Sequence, residues 1–193
     1  MNRMVTRSVI LIGPSKAGKT TVSTLLGAHL HWPVLQLDDL RWAYYAEIGY
    51  DADKAQQLRR EQGFPALVEH WKPYDIHAVE RVLADYPHGH VIAFGAGHSV
   101  YTNPDDLARA KRALAGHDVI LLLPTADIDE ANRVLRERLV HDEPELTGDT
   151  IPNINRQFLL DPSNAYLATA TVYNANQTPE QTCAAIIELL SHD

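Results

Sequence analysis

Short apolar runs rich in β-branched residues recur along the chain, with helix-length stretches between them. They fall at 8–12, 34–37, 90–94, 118–123 and 170–173, and each predicts a strand. The intervening patterns predict helices over 19–30, 75–85, 104–115, 127–140 and 179–190. Strands alternating with helices predict a parallel sheet, and the uninterrupted run Val119-Ile120-Leu121-Leu122-Leu123 suits a strand covered on both faces. End signals agree with several of these helices. Asp75 is placed to cap a helix after Pro73, Asp105 and Asp106 follow Pro104 in a first turn, and Gly116 stands where that helix closes. The expected class is α/β, with a five-stranded parallel sheet. Two stretches, 41–74 and 141–165, depart from the alternation. Ligands of open parallel sheets sit at the carboxyl ends of strands beneath the longest excursions, so these two are the expected working parts.

The loop after the first run reads Gly13-Pro14-Ser15-Lys16-Ala17-Gly18-Lys19-Thr20, a full G-x-x-x-x-G-K-[ST] between a strand and a helix. Its glycines let backbone N–H groups turn onto a phosphate chain, and the helix that follows points its positive end at the same place. Residues 13–20, with Thr21 behind them, are the expected nucleotide cradle. Lys19 is assigned to the β and γ phosphates, and the Thr20 hydroxyl to the accompanying Mg²⁺.

Two further constellations stand at the ends of strands. Leu37-Asp38-Asp39-Leu40 brings two carboxylates to the end of the second strand. Phosphoryl transfer has use for one to orient or deprotonate an acceptor hydroxyl and for another to hold Mg²⁺ through water, the expected assignments being Asp38 and Asp39. Asp39 as a helix cap is the alternative. After the third strand, Gly95-Ala96-Gly97-His98 is a stretch of small residues that lets a ligand approach the backbone, with His98 either a substrate contact or a polar helix-entry residue. Trp42, Tyr44, Tyr45 and Trp71 offer aromatic faces to a ring, or else form a local core, and Arg59 and Arg60 offer cations to an acceptor anion or a solvated helix face.

In the order of these parts the chain resembles the shikimate kinase-like branch of the P-loop NTPase superfamily, which also contains gluconate kinase. The resemblance rests on the glycine loop, on Asp38 at the second Asp of the family's D-x-D, on Gly95-Ala96-Gly97 at its triple glycine, and on the stretch from Asp161-Pro162 to Thr178-Pro179-Glu180. It implies a three-layer kinase fold with an acceptor-binding excursion at about 41–74 and a lid at about 141–165, ATP and Mg²⁺ as cofactors, and a small-molecule hydroxyl as acceptor. It also implies lid arginines, expected at Arg133 and Arg136, with Arg138 and Arg156 nearby, and the composition of 145–150 suits a hinge. The departures are local. Gln36 stands at the first Asp of D-x-D, Leu160 at the arginine that binds the shikimate carboxylate, and 63–69 lacks the family's F-R-x-x-E. Shikimate itself is therefore a poor candidate.

Composition narrows the rest. A chain of 193 residues with 45% hydrophobic content is expected to form one domain over 1–193, since domains run to about 100–200 residues. Seventeen Lys and Arg against twenty-five Asp and Glu leave a net charge of −8, which argues against nucleic-acid and acidic-membrane partners. One cysteine, Cys183, excludes an internal disulfide and reads as packing. No run approaches the ~18 apolar residues of a membrane span, so a cytoplasmic monomer or homodimer is expected. The function expected is an ATP-dependent small-molecule kinase. A nucleoside or nucleotide kinase, an antibiotic phosphotransferase and a nucleotide-hydrolysing switch are the alternatives, the last disfavoured by the absence of an N-K-x-D signature.

Overall fold

The computed structural model describes residues 7–142 and 150–192. Five strands form one all-parallel sheet: β1 (Val9–Ile12), β2 (Val34–Gln36), β3 (Val91–Ala93), β4 (Asp118–Leu123) and β5 (Ala170–Tyr173), in the order β2-β3-β1-β4-β5. Each lies within one residue of its expected bounds. The register aligns Val9 with Val91 on one side and with Asp118 on the other. Side chains along β1 alternate between the two faces. Ile10 and Ile12 join Ile92, Phe94, Val119 and Leu121 in one core, and Val9 and Leu11 join Val91, Ile120, Leu122 and Val172 in the other.

Helices cover both faces, giving three layers. Helix α1 (Lys19–Leu30), α5 (Ile128–Asp142) and α8 (Pro179–His192) close the second core through Leu26, Leu135 and Ile186, with Cys183 buried among them as expected. On the opposite face lie α2 (Leu37–Glu47), α3 (Ala52–Asp85) and α4 (Pro104–Ala113), with α6 (Thr150–Leu160) and α7 (Ser163–Leu167) between β4 and β5.

The excursion 41–74 is helical, which the sequence reading missed. Asp51 caps α3 by accepting from the N–H groups of Asp53 and Lys54, both at 3.0 Å. At Gly63 the helix breaks, with φ 85°, and Pro65 sits in the first turn of the segment that resumes. The expected cap at Asp75 is a correction: α3 runs straight through it, and Asp75 is a buried interior residue, 2% exposed. Residues 145–149 of the expected hinge lie outside the described residues. No helix among the described residues is long and apolar enough to cross a membrane.

One close contact fixes α1 on the sheet edge. A Cβ on Gly27 would stand 3.0 Å from the Trp32 carbonyl oxygen and overlap a Val34 methyl. Gly27→Ala should therefore destabilise the protein by about 1–2 kcal/mol despite its better helix propensity, and adding Val34→Ala should restore part of the loss, as read by urea unfolding.

Candidate functional site

The glycine loop leaves β1, the central strand, in a backbone shape that its side chains permit. Gly13 has φ 136° and lies so close to the Leu122 carbonyl that no Cβ fits, while Gly18 (φ 96°) turns the chain into α1. Lys16 also adopts a positive φ of 64°. The loop carbonyls are held from outside by side chains of several elements. Lys19 Nζ donates to the Gly13 and Pro14 carbonyls, each at 2.8 Å. The amide of Asn155 on α6 pairs with both sides of Ser15, accepting from its N–H at 3.0 Å and donating to its carbonyl at 3.3 Å. Arg138 of α5 donates to the Lys16 carbonyl at 3.2 Å, and Asn174 after β5 donates to that of Ala17 at 2.8 Å. The first N–H groups of α1 are thereby left facing a cleft with no capping side chain on Gly18.

That cleft has a volume of about 740 Å³. Ser15, Lys16, Gly18, Lys19, Thr20 and Thr21 line it from the loop, while Gly13, Pro14 and Ala17 lie buried beneath. Arg138, Asn174 and Thr182 form the far wall. Removal of water from around the Lys19 ammonium lowers its pKa to about 8, and the nearby Asp38 carboxylate pulls the other way.

A second cavity of about 180 Å³ adjoins the first and shares Ser15, Asp38 and Ala96 with it. Its walls are mostly apolar, with Phe64, Val68 and Trp71 from α3 and Ile154 and Phe158 from α6. Asp38 sits in the first turn of α2 at the junction of the two cavities, and a Cβ on Gly95 would stand 2.7 Å from its Oδ2. The glycine expected to admit a ligand thus first admits this carboxylate. Beneath lies a buried charged group. Lys72 Nζ donates to the Gly97 and Val100 carbonyls at 2.9 and 2.7 Å and lies 3.8 Å from Asp75. Asp75 accepts from the Tyr45 hydroxyl and lies 3.4 Å from Nε2 of His98. Burial lowers the pKa values of both Lys72 and His98, with the Asp75 carboxylate pulling the other way in each.

No protein-family model matches the chain. Among curated proteins, the shikimate kinase of Salinispora arenicola is 28% identical over 189 residues, covering 94% of this chain and 96% of that one. Two pentafunctional AROM polypeptides of Lodderomyces elongisporus are 31% identical over 91 residues, which is 47% of this chain but only 5% of their own length. Among solved structures, the shikimate kinase of Acinetobacter baumannii in complex with shikimate superposes with a TM-score of 0.64 at 19% identity, over 95% of this chain and 92% of that one. A gluconokinase of Sinorhizobium meliloti superposes with a TM-score of 0.62 at 15% identity, over 96% and 94%. The fold is that of the shikimate kinase-like P-loop kinases.

On this kinase fold several expected site residues stand elsewhere. Arg133 and Arg136 are exposed and line neither cavity; Arg133 is paired to Glu130 and Glu137. The buried stripe of α5 is Ala131, Leu135 and Leu139, and helical spacing puts Arg138 beside that stripe and Arg133 on the opposite side. Among the described residues, Arg138 is therefore the arginine that lines the first cleft. Arg156 pairs with Asp129 at 2.5 Å. Arg59 is exposed over the Phe64 ring and lies off the second cavity, which Arg41 lines instead. Asp39 is exposed and lines neither cavity. Thr20 reaches the Gln36 side-chain oxygen at 3.4 Å instead, and Gln36 in turn donates to Ser23 at 3.0 Å. Trp71, Gly97 and His98 line the second cavity, and Ala96 lines both. The aromatic-base-x-x-acid order missed at 63–69 recurs at Trp71-Lys72-Pro73-Tyr74-Asp75, where Lys for Arg and Asp for Glu hid it. Nothing local marks Asn155 or Asn174 as parts of the loop, since each acts across more than 130 positions of chain.

A bound anion favours the charged form of Lys19. Triphosphate binding at about pH 9 should therefore take up close to one proton, and affinity should fall as pH rises through about 8. Calorimetry in buffers of differing ionisation enthalpy reads the uptake, and Lys19→Met should abolish it. Arg138→Ala should weaken nucleotide binding about tenfold or more, while Arg133→Ala leaves it unchanged.

Proposed function

We propose that the chain is an ATP-dependent phosphotransferase that moves the γ-phosphoryl group to an alcohol of a small molecule. The observation that carries this reading is the position of Asp38, the one carboxylate lining both the phosphate cleft and the adjoining cavity among the described residues. A hydroxyl held against Asp38 faces the phosphate loop, so its oxygen can attack the terminal phosphorus while Asp38 takes its proton and ADP leaves. Lys19 and the first N–H groups of α1 hold the phosphate oxygens and offset the charge that develops there.

Mg²⁺ fits the oxygen donors present, the Thr20 hydroxyl and the Gln36 amide oxygen, with Asp38 on the same cleft; when bound it would neutralise phosphate charge. Gln36, in place of the family's first carboxylate, leaves most of the coordination to phosphates and water. The acceptor in this reading is not shikimate. Leu160, at the position of the carboxylate-binding arginine, is 57% exposed, and Lys72 is occupied by two backbone carbonyls.

Asp38→Asn should keep ATP affinity within a few-fold and lower kcat about a hundredfold or more, as loss of a general base does. Gly95→Ala should also lower kcat while sparing ATP affinity, because its methyl displaces the same carboxylate. Coupled ADP-release kinetics and calorimetric ATP titration separate the two quantities. Steady ATP hydrolysis with no phosphorylated product from any hydroxyl compound would overturn the reading in favour of a switch.

A further inference from the structure

The charges around the second cavity are already matched to one another. Arg41 is the one arginine or lysine among the described residues lining it, and its Nη1 lies 3.5 Å from Asp38 Oδ1. Asp75, the other carboxylate of the lining, has Lys72 beside it at 3.8 Å and accepts from the Tyr45 hydroxyl. Lys72 stands behind the lining and donates to the Gly97 and Val100 carbonyls at 2.9 and 2.7 Å. Burial disfavours the charged form of His98. Two carboxylates therefore meet two cations, and among the described residues no positive charge is left over. Little neutral hydrogen-bonding capacity remains either. Asn155 uses its amide on both backbone groups of Ser15, at 3.0 and 3.3 Å. Arg41 Nε and both ring nitrogens of His98 have no hydrogen-bond partner, but they are closed to solvent. Most of the remaining wall is Phe64, Val68, Trp71, Ile154 and Phe158. A dry apolar cavity of about 150 Å³ takes up one benzene ring, and this one has a volume of about 180 Å³.

We propose that the acceptor is an uncharged alcohol whose body is one ring or a short branched alkyl chain, an inference that rests on the kinase reading above and names its substrate class. A carboxylate entering the cavity would add a third anion to a site whose two cations are paired, and would give up its water without gaining a free partner. An ammonium meets the converse bar, since both carboxylates have partners. A polyol would lose water at each hydroxyl to side chains that return no hydrogen bond. A single hydroxyl escapes these costs. Asp38, its side chain 58% exposed, stands at the junction of the two cavities and accepts from it.

The test uses three compounds of one shape that carry no hydroxyl: uncharged 3-phenylpropionamide, anionic 3-phenylpropionate and cationic 3-phenylpropylamine. Calorimetry on the full chain with ADP present should show the amide binding about tenfold or more tighter than either charged compound. Asp38→Asn removes one anion and frees Arg41, so it should bring the propionate to within about threefold of the amide. In turnover, ADP release and ³¹P NMR should show 3-phenylpropan-1-ol preferred over xylitol and gluconate by about a hundredfold or more in kcat/KM. Binding by none of the three compounds, tighter binding of the propionate or the amine, an unchanged preference in Asp38→Asn, or equal or better use of xylitol or gluconate overturns the uncharged acceptor and leaves the kinase reading standing. Preferred binding of the amide with no phosphorylated product from any hydroxyl compound keeps an uncharged ligand for the cavity and overturns the kinase reading. The wild-type comparisons need no variant, so misfolding of Asp38→Asn cannot mask the result.

Discussion

The constraint on which the rest of this structure depends is the outward turn of the phosphate-loop carbonyls. Peptide N–H and C=O groups point in opposite directions, so a loop can aim donors at an anion only if its acceptors are satisfied elsewhere. Here Lys19, Asn155, Arg138 and Asn174 meet the carbonyls of residues 13–17, drawn from α1, α6, α5 and the turn after β5. The cradle therefore stands formed without phosphate in it. Binding replaces one set of Lys19 contacts rather than folding a loop, which lowers the ordering cost that association otherwise carries.

The second cavity is bounded on a different principle, carboxylates set against small backbone. Gly95 and Gly97 allow Asp38 and Asp75 to approach the strand-end turn, and Lys72 binds that turn by two carbonyls. Buried ionic groups are held only when paired, and Asp75 satisfies that condition with Lys72 beside it and the Tyr45 hydroxyl donating to it. The group fixes α3 against the turn after β3, and so fixes the distance between Trp71, Arg41 and Asp38. Trp71 and the carboxylate shared by the two cavities are in this way tied to one assembly.

Gln36 places an oxygen beside Thr20, and Arg41 brings a cation to the second cavity from α2. Similarity in fold at 15–19% identity is compatible with this, because a sheet and glycine loop can keep their shape whatever lines the adjoining cavity.

The sheet, the phosphate loop and the carboxylate at the end of β2 were legible in the sequence because each is a local signal. Apolar runs of strand length, a glycine spacing and a carboxylate at a strand end depend on residues within a few positions of one another. The helices of 41–74 were not legible, because their apolar positions serve two partners, the sheet and the acceptor cavity, and blur the helical period. Which arginine reaches the nucleotide was equally hidden, since Arg133, Arg136 and Arg138 differ only in rotation about α5. The sequence by itself determined that a phosphate-type glycine loop would form at the end of β1. Only the tertiary structure decided which distant side chains, Asn155, Asn174 and Arg138, brace it, because those contacts join residues that no local pattern relates.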